Sequence, residues 1–537
     1  MRTTTATLGL LALLATPLLA QGRRRPAANR DSVNIANAVA TITPDDYHRR
    51  IAIIADDSMR GRGTPSPELE ETARWIAGEF QRFGLRPGGD SGGYLQRYHI
   101  RRTLIDTTSF VMAMGHGAHG HWIVGRDALY LGGDLTDSSV SGPVVLVYGT
   151  PADTAHPFGN VNLSGAVILQ ISAGAGGRLR GIGGGPMVAK AAAAGAKAWI
   201  SVAPLPANFW NAQIANAHTP RLQLIGGFGG GRGGAPIPTF LIRDSSAMGV
   251  LSAAGENLDS LRLPNATGVR ALQGFTGAMS AKRINLPDAT APNVIGILEG
   301  SDPVLKNEYV FFTGHMDHVG VAGMGNGCTA VGGDSICNGA DDDASGTTGV
   351  VMLAQAFSQM HPRPRRSLVF MTVSGEERGL WGSDYYTSNP TLPMANTVAD
   401  LNTDMIGRYY NNQSGWRDTV VAIGKEHSSL GASANKVVQE HPELHMNMID
   451  DIWPEQNFYS RSDHFNFARK GVPILFFFNG THPDYHRPSD SVDKIDSEKA
   501  SRIVKLVFYL GLDVANTTER PQWNPESRAR IVAPATN

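Results

Sequence analysis

The chain has 537 residues, more than one compact domain usually holds, so two or more folded units are expected. Hydrophobic residues at 42% and charged residues at 18% exclude a disordered chain, and 62 glycines without a collagen-like period exclude a fibre. With 47 Lys and Arg against 48 Asp and Glu, the formal net charge of -1 excludes a globally basic nucleic-acid binder and gives no broad attraction to anionic membranes.

Residues 1–20 combine Arg2, an apolar stretch from Leu8 to Leu19 and Ala20 before Gln21, the pattern of a secretory signal peptide. The apolar stretch is short for a membrane span. The alternative is an uncleaved N-terminal anchor, since Arg23, Arg24 and Arg25 just beyond resist translocation. Export, secreted or periplasmic, is the expected destination, with no integral membrane segment after cleavage. Residues 21–42 are polar and featureless and read as a linker. Thr43-Pro44 and Ser66-Pro67 each place an N-cap before a proline, which opens a helix. The second keeps helical spacing through Leu69, Ala73, Ile76 and Phe80 until Gly84, and a strand follows near Tyr94 to Ile100.

The middle third changes texture. Short apolar strand candidates (144–148, 166–172, 198–202 and 239–242) are separated by glycine-rich loops at 174–185 and 226–234, with one alanine-rich helix at 187–196. Gly229, Gly231 and Gly234 fit a G-x-G-x-x-G pattern, but no strand–turn–helix unit surrounds them. His116, His119 and His121 read as a solvated turn, having no cysteine or carboxylate cluster beside them.

From Asn293 strand and helix alternate. Segments 309–313, 367–373 and 472–478 read as buried strands, 347–357 and 497–512 as helices, and the last residues, 516–537, as a polar periphery. The predicted fold class is α/β, a mixed central sheet with helices on both faces, plus an inserted β-rich unit. The predicted divisions are 43–128 and 279–515 for the two parts of the main unit and 129–278 for the insert. Cys328 and Cys337 are the two cysteines, and in an oxidising compartment a disulfide between them is expected, with a shared zinc site as the alternative.

In an open α/β sheet, reactive groups gather beyond the carboxyl ends of strands. Five segments put acids or histidines there: Thr313-Gly314-His315-Met316-Asp317-His318, Asn338 to Gly346, Ser374-Gly375-Glu376-Glu377, Leu401-Asn402-Thr403-Asp404-Met405 and Tyr485-His486-Arg487-Pro488. Singly each has a bland reading, as a helix cap, a solvated acidic pair or a packed histidine. Together they place charge behind apolar runs, where a metal is the simplest compensation.

The five segments, in this order, resemble the H-x-D, G-A-x-D-x-x-S-G, G-E-E, N-x-D-M-I-G and Y-H-x-P-x-D motifs of the M28 family of zinc exopeptidases. The resemblance covers 309–495 and extends to the Asp57–Thr64 stretch. It implies His315, Asp342, Glu377, Asp404 and His486 as ligands of two Zn²⁺ ions, for which Co²⁺ or Mn²⁺ are possible substitutes. It implies Glu376 as the general base and Asp317 as the residue behind the metal-bound histidine. His318 and His464 match no ligand. Tyr459 matches a tyrosine that holds the scissile carbonyl in some relatives, and is otherwise a packed aromatic. The middle third resembles a protease-associated domain inserted into the peptidase unit.

If Asp342 bridges, each ion has three protein ligands and an open position for water. Hydroxide held between the ions would then attack the peptide, with Glu376 shuttling its proton and Asp317 orienting His315. The resemblance implies an exported aminopeptidase acting on peptides. The alternatives are a glutaminyl-peptide cyclotransferase, a carboxypeptidase using Arg408 or Arg461, and a metal-free receptor. Oligomeric state is open, and no nucleic-acid partner is expected.

Overall fold

The computed structural model describes Met1 and residues 27–135, 139–151, 153–172, 185–227, 236–323 and 327–532. The expected signal peptide, most of the two glycine-rich loops and the G-x-G-x-x-G run lie outside the described residues.

The expected mixed α/β fold is present. Ten described strands form one sheet. Its middle is parallel: Tyr309–His315 lies between Ser367–Val373 and Thr397–Thr403, and Ile474–Phe478 lies beyond the latter. Antiparallel strands extend both sides, Thr419–Ile423 on one and Arg283–Leu298 followed by Leu95–Ile105 on the other. The central strands are buried on both faces, which is why they read as continuous apolar runs. Adjacent residues therefore serve opposite layers. Phe312 stacks on Phe370 under the helices Ala344–Ser358 and Ser497–Asn516, while Phe311 packs on Tyr386 and Phe467 of the other face.

Helix starts follow local chemistry. Thr43 Oγ1 accepts from Asp46 N, Ser66 Oγ from Leu69 N, and a proline sits in the first turn of both helices, Pro44–Ile54 and Pro67–Arg82. Gly84, at φ +74, ends the second in the left-handed conformation that glycine adopts without strain.

A second sheet of eight described strands includes Ser139–Tyr148, Val167–Ile171, Ala198–Ala203 and Thr239–Arg243. It reaches past both expected insert boundaries, 129 and 278. Phe110–Gly115 and Ala118–Ile123 already belong to it, and Gly268–Ser280 extends it at the other end. Arg221–Ile225, from within that span, returns to pair with Leu95–Ile105 of the main sheet. Composition could not show this, because edge pairing is a long-range choice. His119 and His121 lie exposed on the second strand of a hairpin rather than in its turn.

Two further expectations are corrected. Residues 21–42 are not all linker: Ala27–Ala40 is a helix, and Ala38, Val39 and Ile42 enter the main core. The segment after 516 is not peripheral throughout. Pro525–Ile531 is helical, Trp523 Nε1 donates to Gly471 O at 2.8 Å, and Trp523 and Ile531 pack on the core of the second face. In both cases a few apolar side chains in a polar stretch decide the outcome. No helix among the described residues is long and apolar enough to cross a membrane.

Buried Arg50 joins the first helices to the core. It meets Asp46 at 2.9 Å and contacts Glu79 and the Gln355 side chain. Burial would raise both carboxyls, but hydrogen bonds from Arg49 and Arg82 and the charge of Arg50 hold Asp46 below 3.8 and Glu79 below 4.5. A lowered folded pKa stabilises above the unfolded value and is lost as pH falls through the folded one. Arg50→Met should therefore cost about 3 kcal/mol near neutrality. From about pH 5 to about pH 3 the melting temperature of the wild type should fall more steeply than that of the variant. Parallel melting curves across that range would contradict this account.

Candidate metal centre

Strand order in the main sheet reverses at Tyr309–His315. The chain continues to Ser367–Val373 on one side and then to Thr397–Thr403 on the other. Such a switch point opens a crevice at the carboxyl ends. His315 ends the central strand, Glu376 and Glu377 follow Val373 through a turn at Gly375 (φ +74), and Asp404 follows Thr403. Asp342 stands just before the helix Ala344–Ser358, and His486 follows the strand Ile474–Phe478.

Three consecutive acids, Asp341, Asp342 and Asp343, are buried here, and their partners separate their roles. Asp343 caps the helix, accepting from Gly346 N at 2.8 Å, and also from the backbone N–H of His315 and Met405. Asp341 accepts from Gly407 N at 2.7 Å and lies 3.2 Å from His482 Nε2. Asp342 faces the crevice, with Oδ1 3.2 Å from His315 Nε2 and Oδ2 3.1 Å from His486 Nε2. His486, not His482, is thus the histidine beside Asp342.

Two groups of potential donors share Asp342. His315, Asp342 and Asp404 form one, with His315 Nε2 3.6 Å from Asp404 Oδ2. His318, Asp342, Glu377 and His486 form the other, with His486 Nε2 3.2 Å from Glu377 Oε2. All five residues expected as ligands come together, and His318, matched to nothing in the sequence, joins them. The adjacent glutamates diverge because they occupy a turn, not the extended segment expected. Glu376 points towards His315 (4.0 Å) and Glu377 towards the second group.

Asp317 acts on His315 differently from expectation. His315 Nδ1 donates to the backbone carbonyl of Asp317 at 3.0 Å, which turns Nε2 towards the crevice, while the Asp317 carboxylate is 3.6 Å away. That carboxylate accepts from Thr64 Oγ1 at 2.7 Å and from Glu376 N at 3.3 Å. Sequence reasoning also missed Ser462, whose hydroxyl donates to Asp404 at 2.8 Å, and Asp490, which accepts from the N–H of Asp341 and Asp342. Asp490 ends the quoted Y-H-x-P-x-D segment, so its motif was the available signal. Ser462, three residues after Tyr459, carries no such signal in the sequence.

Tyr459 lies away from the crevice. Its ring packs edge-on against His427, and its buried hydroxyl has no hydrogen-bond partner. The tyrosine lining the crevice is Tyr485, stacked on His486 with ring centroids 3.9 Å apart, and Phe458, Phe476 and Phe478 make the wall apolar. Buried Arg408 is paired with Asp484 and Asp490, whereas exposed Arg461 lines the crevice, stacked over Phe458. His464 is buried on Phe476, outside both donor groups. Cys328 and Cys337 are joined in a disulfide, in the loop leading to Asn338. A cleft of about 990 Å³ runs between the two sheets, lined by Arg60, Arg102, Arg221 and Arg378 and touching Glu377.

Charge at this site is strongly perturbed. Burial and the charges of Glu377, Asp463 and Asp404 push the Glu376 carboxyl well above the carboxylate range, against His315. Burial also raises Asp404, aided by Asp342. Burial would raise Asp342 and Glu377 too, but the surrounding histidines hold Asp342 well down and Glu377 at about 2. Burial would lower His486, but Asp342 and Glu377 raise it to about 10. Asp342 Oδ2, Glu377 Oε1, His486 Nε2 and both His318 nitrogens are buried without a properly directed hydrogen bond. Imidazole and carboxylate donors that face one another and lack other partners fit a divalent cation.

The comparisons with known proteins agree with this geometry. Residues 293–511 match the family described as peptidase family M28. Over 263 residues, 42% of this chain and 57% of the relative, the chain is 26% identical to a probable zinc metalloprotease of Leptosphaeria maculans. Over 307 residues, 56% of each, it is 26% identical to leupeptin-inactivating enzyme 1 of Streptomyces exfoliatus. It thus spans little more than half the length of these relatives. An aminopeptidase from Aneurinibacillus sp. strain AM-1 shares the fold, with a TM-score of 0.54 at 20% identity, over 90% of this chain and 97% of that one. The matched region, residues 293–511, carries all five predicted ligand positions and Glu376, so this part of the chain is similar to peptidase family M28.

Proposed function

We propose that the protein is an exported zinc aminopeptidase that removes single residues from the free amino end of peptides. One observation carries the reading: Glu376, with its raised pKa, stands 4.0 Å from the imidazole of a donor group that shares Asp342 with a second. His315, Asp342 and Asp404 would hold one Zn²⁺, and Asp342, Glu377 and His486 the other. Bound there, the ions would polarise the scissile carbonyl and lower the pKa of water.

The chain's own groups do the rest. Glu376 accepts a proton from the attacking water and returns it to the leaving amine, a role suited to a carboxyl whose pKa burial raises. His315 is oriented by the Asp317 carbonyl, Asp404 by Ser462, and the Asp342 backbone by Asp490. Phe458, Phe476 and Phe478 favour an apolar terminal side chain in the crevice. The second sheet is read as a protease-associated-like insert that walls the route to the site. Export rests on the signal-like residues 1–20.

A carboxypeptidase is the second reading, favoured by exposed Arg461 on the crevice wall, which could meet a terminal carboxylate. Arg408 is excluded from that role by its two buried ion pairs.

Metal analysis with release assays on free and N-acetylated peptides tests the reading. Chelation should abolish activity, zinc should restore it, and only free amino ends should be cleaved. Equal cleavage of both substrates would overturn the aminopeptidase assignment. Glu376→Gln should retain metal and KM while kcat falls about 10²–10⁴-fold. Near-normal turnover with metal retained would remove Glu376 from its role. Tyr459→Phe should leave kcat/KM unchanged and match or exceed the wild type in stability, by up to about 1 kcal/mol, because it deletes an unpartnered buried hydroxyl. A large fall in kcat/KM without loss of stability would return Tyr459 to the site.

A further inference from the structure

We propose that His318 is a direct ligand of the second metal position, so that His318, Asp342, Glu377 and His486 close it with four protein donors. The first position, with His315, Asp342 and Asp404, then alone stays open to water beside Glu376. This inference rests on the metallopeptidase reading above and extends its ligand set by one residue.

Distances carry the argument. Tetrahedral coordination with bonds of about 2.0–2.1 Å places donor atoms about 3.4 Å apart. In the second group, His318 Nδ1 lies 2.8 Å from Glu377 Oε1 and 3.7 Å from Asp342 Oδ2, while His486 Nε2 lies 3.1 Å from Asp342 Oδ2 and 3.2 Å from Glu377 Oε2. These separations bracket the edge of a tetrahedron, and all four donor atoms lie within 4.8 Å of one another. The side chain of His318 is wholly buried, and neither ring nitrogen makes a properly directed hydrogen bond.

The ring is held in place by shape. It lies edge-on to His486, with centroids 5.4 Å apart. The backbone of Gly339 also lies close to it, such that an added Cβ there would fall 2.4 Å from His318 Cγ. Gly339 also has φ +59, so a side chain is excluded there twice over, and the space goes to the imidazole. A histidine that merely oriented Glu377 would be expected to direct its Nδ1–H along that 2.8 Å approach, and it does not.

The consequence is an asymmetric pair of positions. Four protein donors are the pattern of a structural zinc site, and three with an open place are that of a catalytic one. The second position should therefore fill first and exchange more slowly.

The test loads metal-free full-length protein with Co²⁺ and reads visible absorption and bound metal after equilibrium dialysis, for the wild type, His318→Ala and His318→Gln. For the wild type, two ions bind, the first with the intense absorption of four-coordinate Co²⁺. In His318→Ala that absorption collapses and the tighter affinity weakens by more than the 10–100-fold, roughly, expected of an outer-sphere partner. His318→Gln, which can still hydrogen-bond Glu377, does not recover either signal. Unchanged absorption and affinity in His318→Ala, or full recovery in His318→Gln, would overturn the inference alone. A wild type that binds no Co²⁺ would overturn the metallopeptidase reading with it. Circular dichroism of the metal-free forms verifies that each variant is folded.

Discussion

Everything at the carboxyl end of the main sheet follows from one constraint, the burial of many carboxylates in a small volume. Asp341, Asp342, Asp343, Asp404 and Asp490 are nearly or wholly removed from water, with Glu376 and Glu377 beside them. Each charge needs a partner. Asp343 and Asp490 take backbone N–H groups, Asp341 takes one with His482, and Asp404 takes the Ser462 hydroxyl. Asp342 and Glu377 are left facing histidines. His486, whose pKa those two carboxylates raise to about 10, supplies part of the compensating charge, and a cation is the alternative answer to the same need. A cation bound there would therefore displace protons from the site.

The scaffold is organised around holding those groups still. Buried Arg62, in the stretch before the first long core helix, donates to the carbonyls of Met316, Asn338 and Gly339. It thereby ties the loop after His315 to the loop before Asp342. Thr64 extends the brace to Asp317 and Gly375 N, and so to the turn carrying Glu376. A short segment far from the peptidase motifs in sequence thus orients three of them. Asp490 does the same from the other side, linking the His486 loop to the Asp341-Asp342 backbone.

The second sheet contributes differently. Its strands share a separate core, yet Arg221–Ile225 crosses back to the edge of the main sheet. The cleft between the sheets is lined in part by Glu377 and carries arginines on its walls. The cleft that reaches Glu377 is therefore walled by residues of the second sheet as well as by those of the main unit.

Much of this was legible in the letters. Central strands, their helices and the proline-marked caps depend on neighbours a few residues away, so periodicity and capping chemistry determine them. The residue types able to bind metal, and the motif order that places them after strands, are equally local. Other features were settled only in three dimensions. The separate roles of Asp341 and Asp343, the packing of Tyr459 away from a crevice that Tyr485 lines, the position of His318 beside Asp342 and Glu377 and the engagement of Arg408 depend on where side chains point. The extent of the second sheet and the docking of Ala27–Ala40 and Trp523 depend on contacts between distant segments. Side-chain direction and long-range packing are properties of the assembled fold, because each is decided by atoms that adjacent letters do not specify.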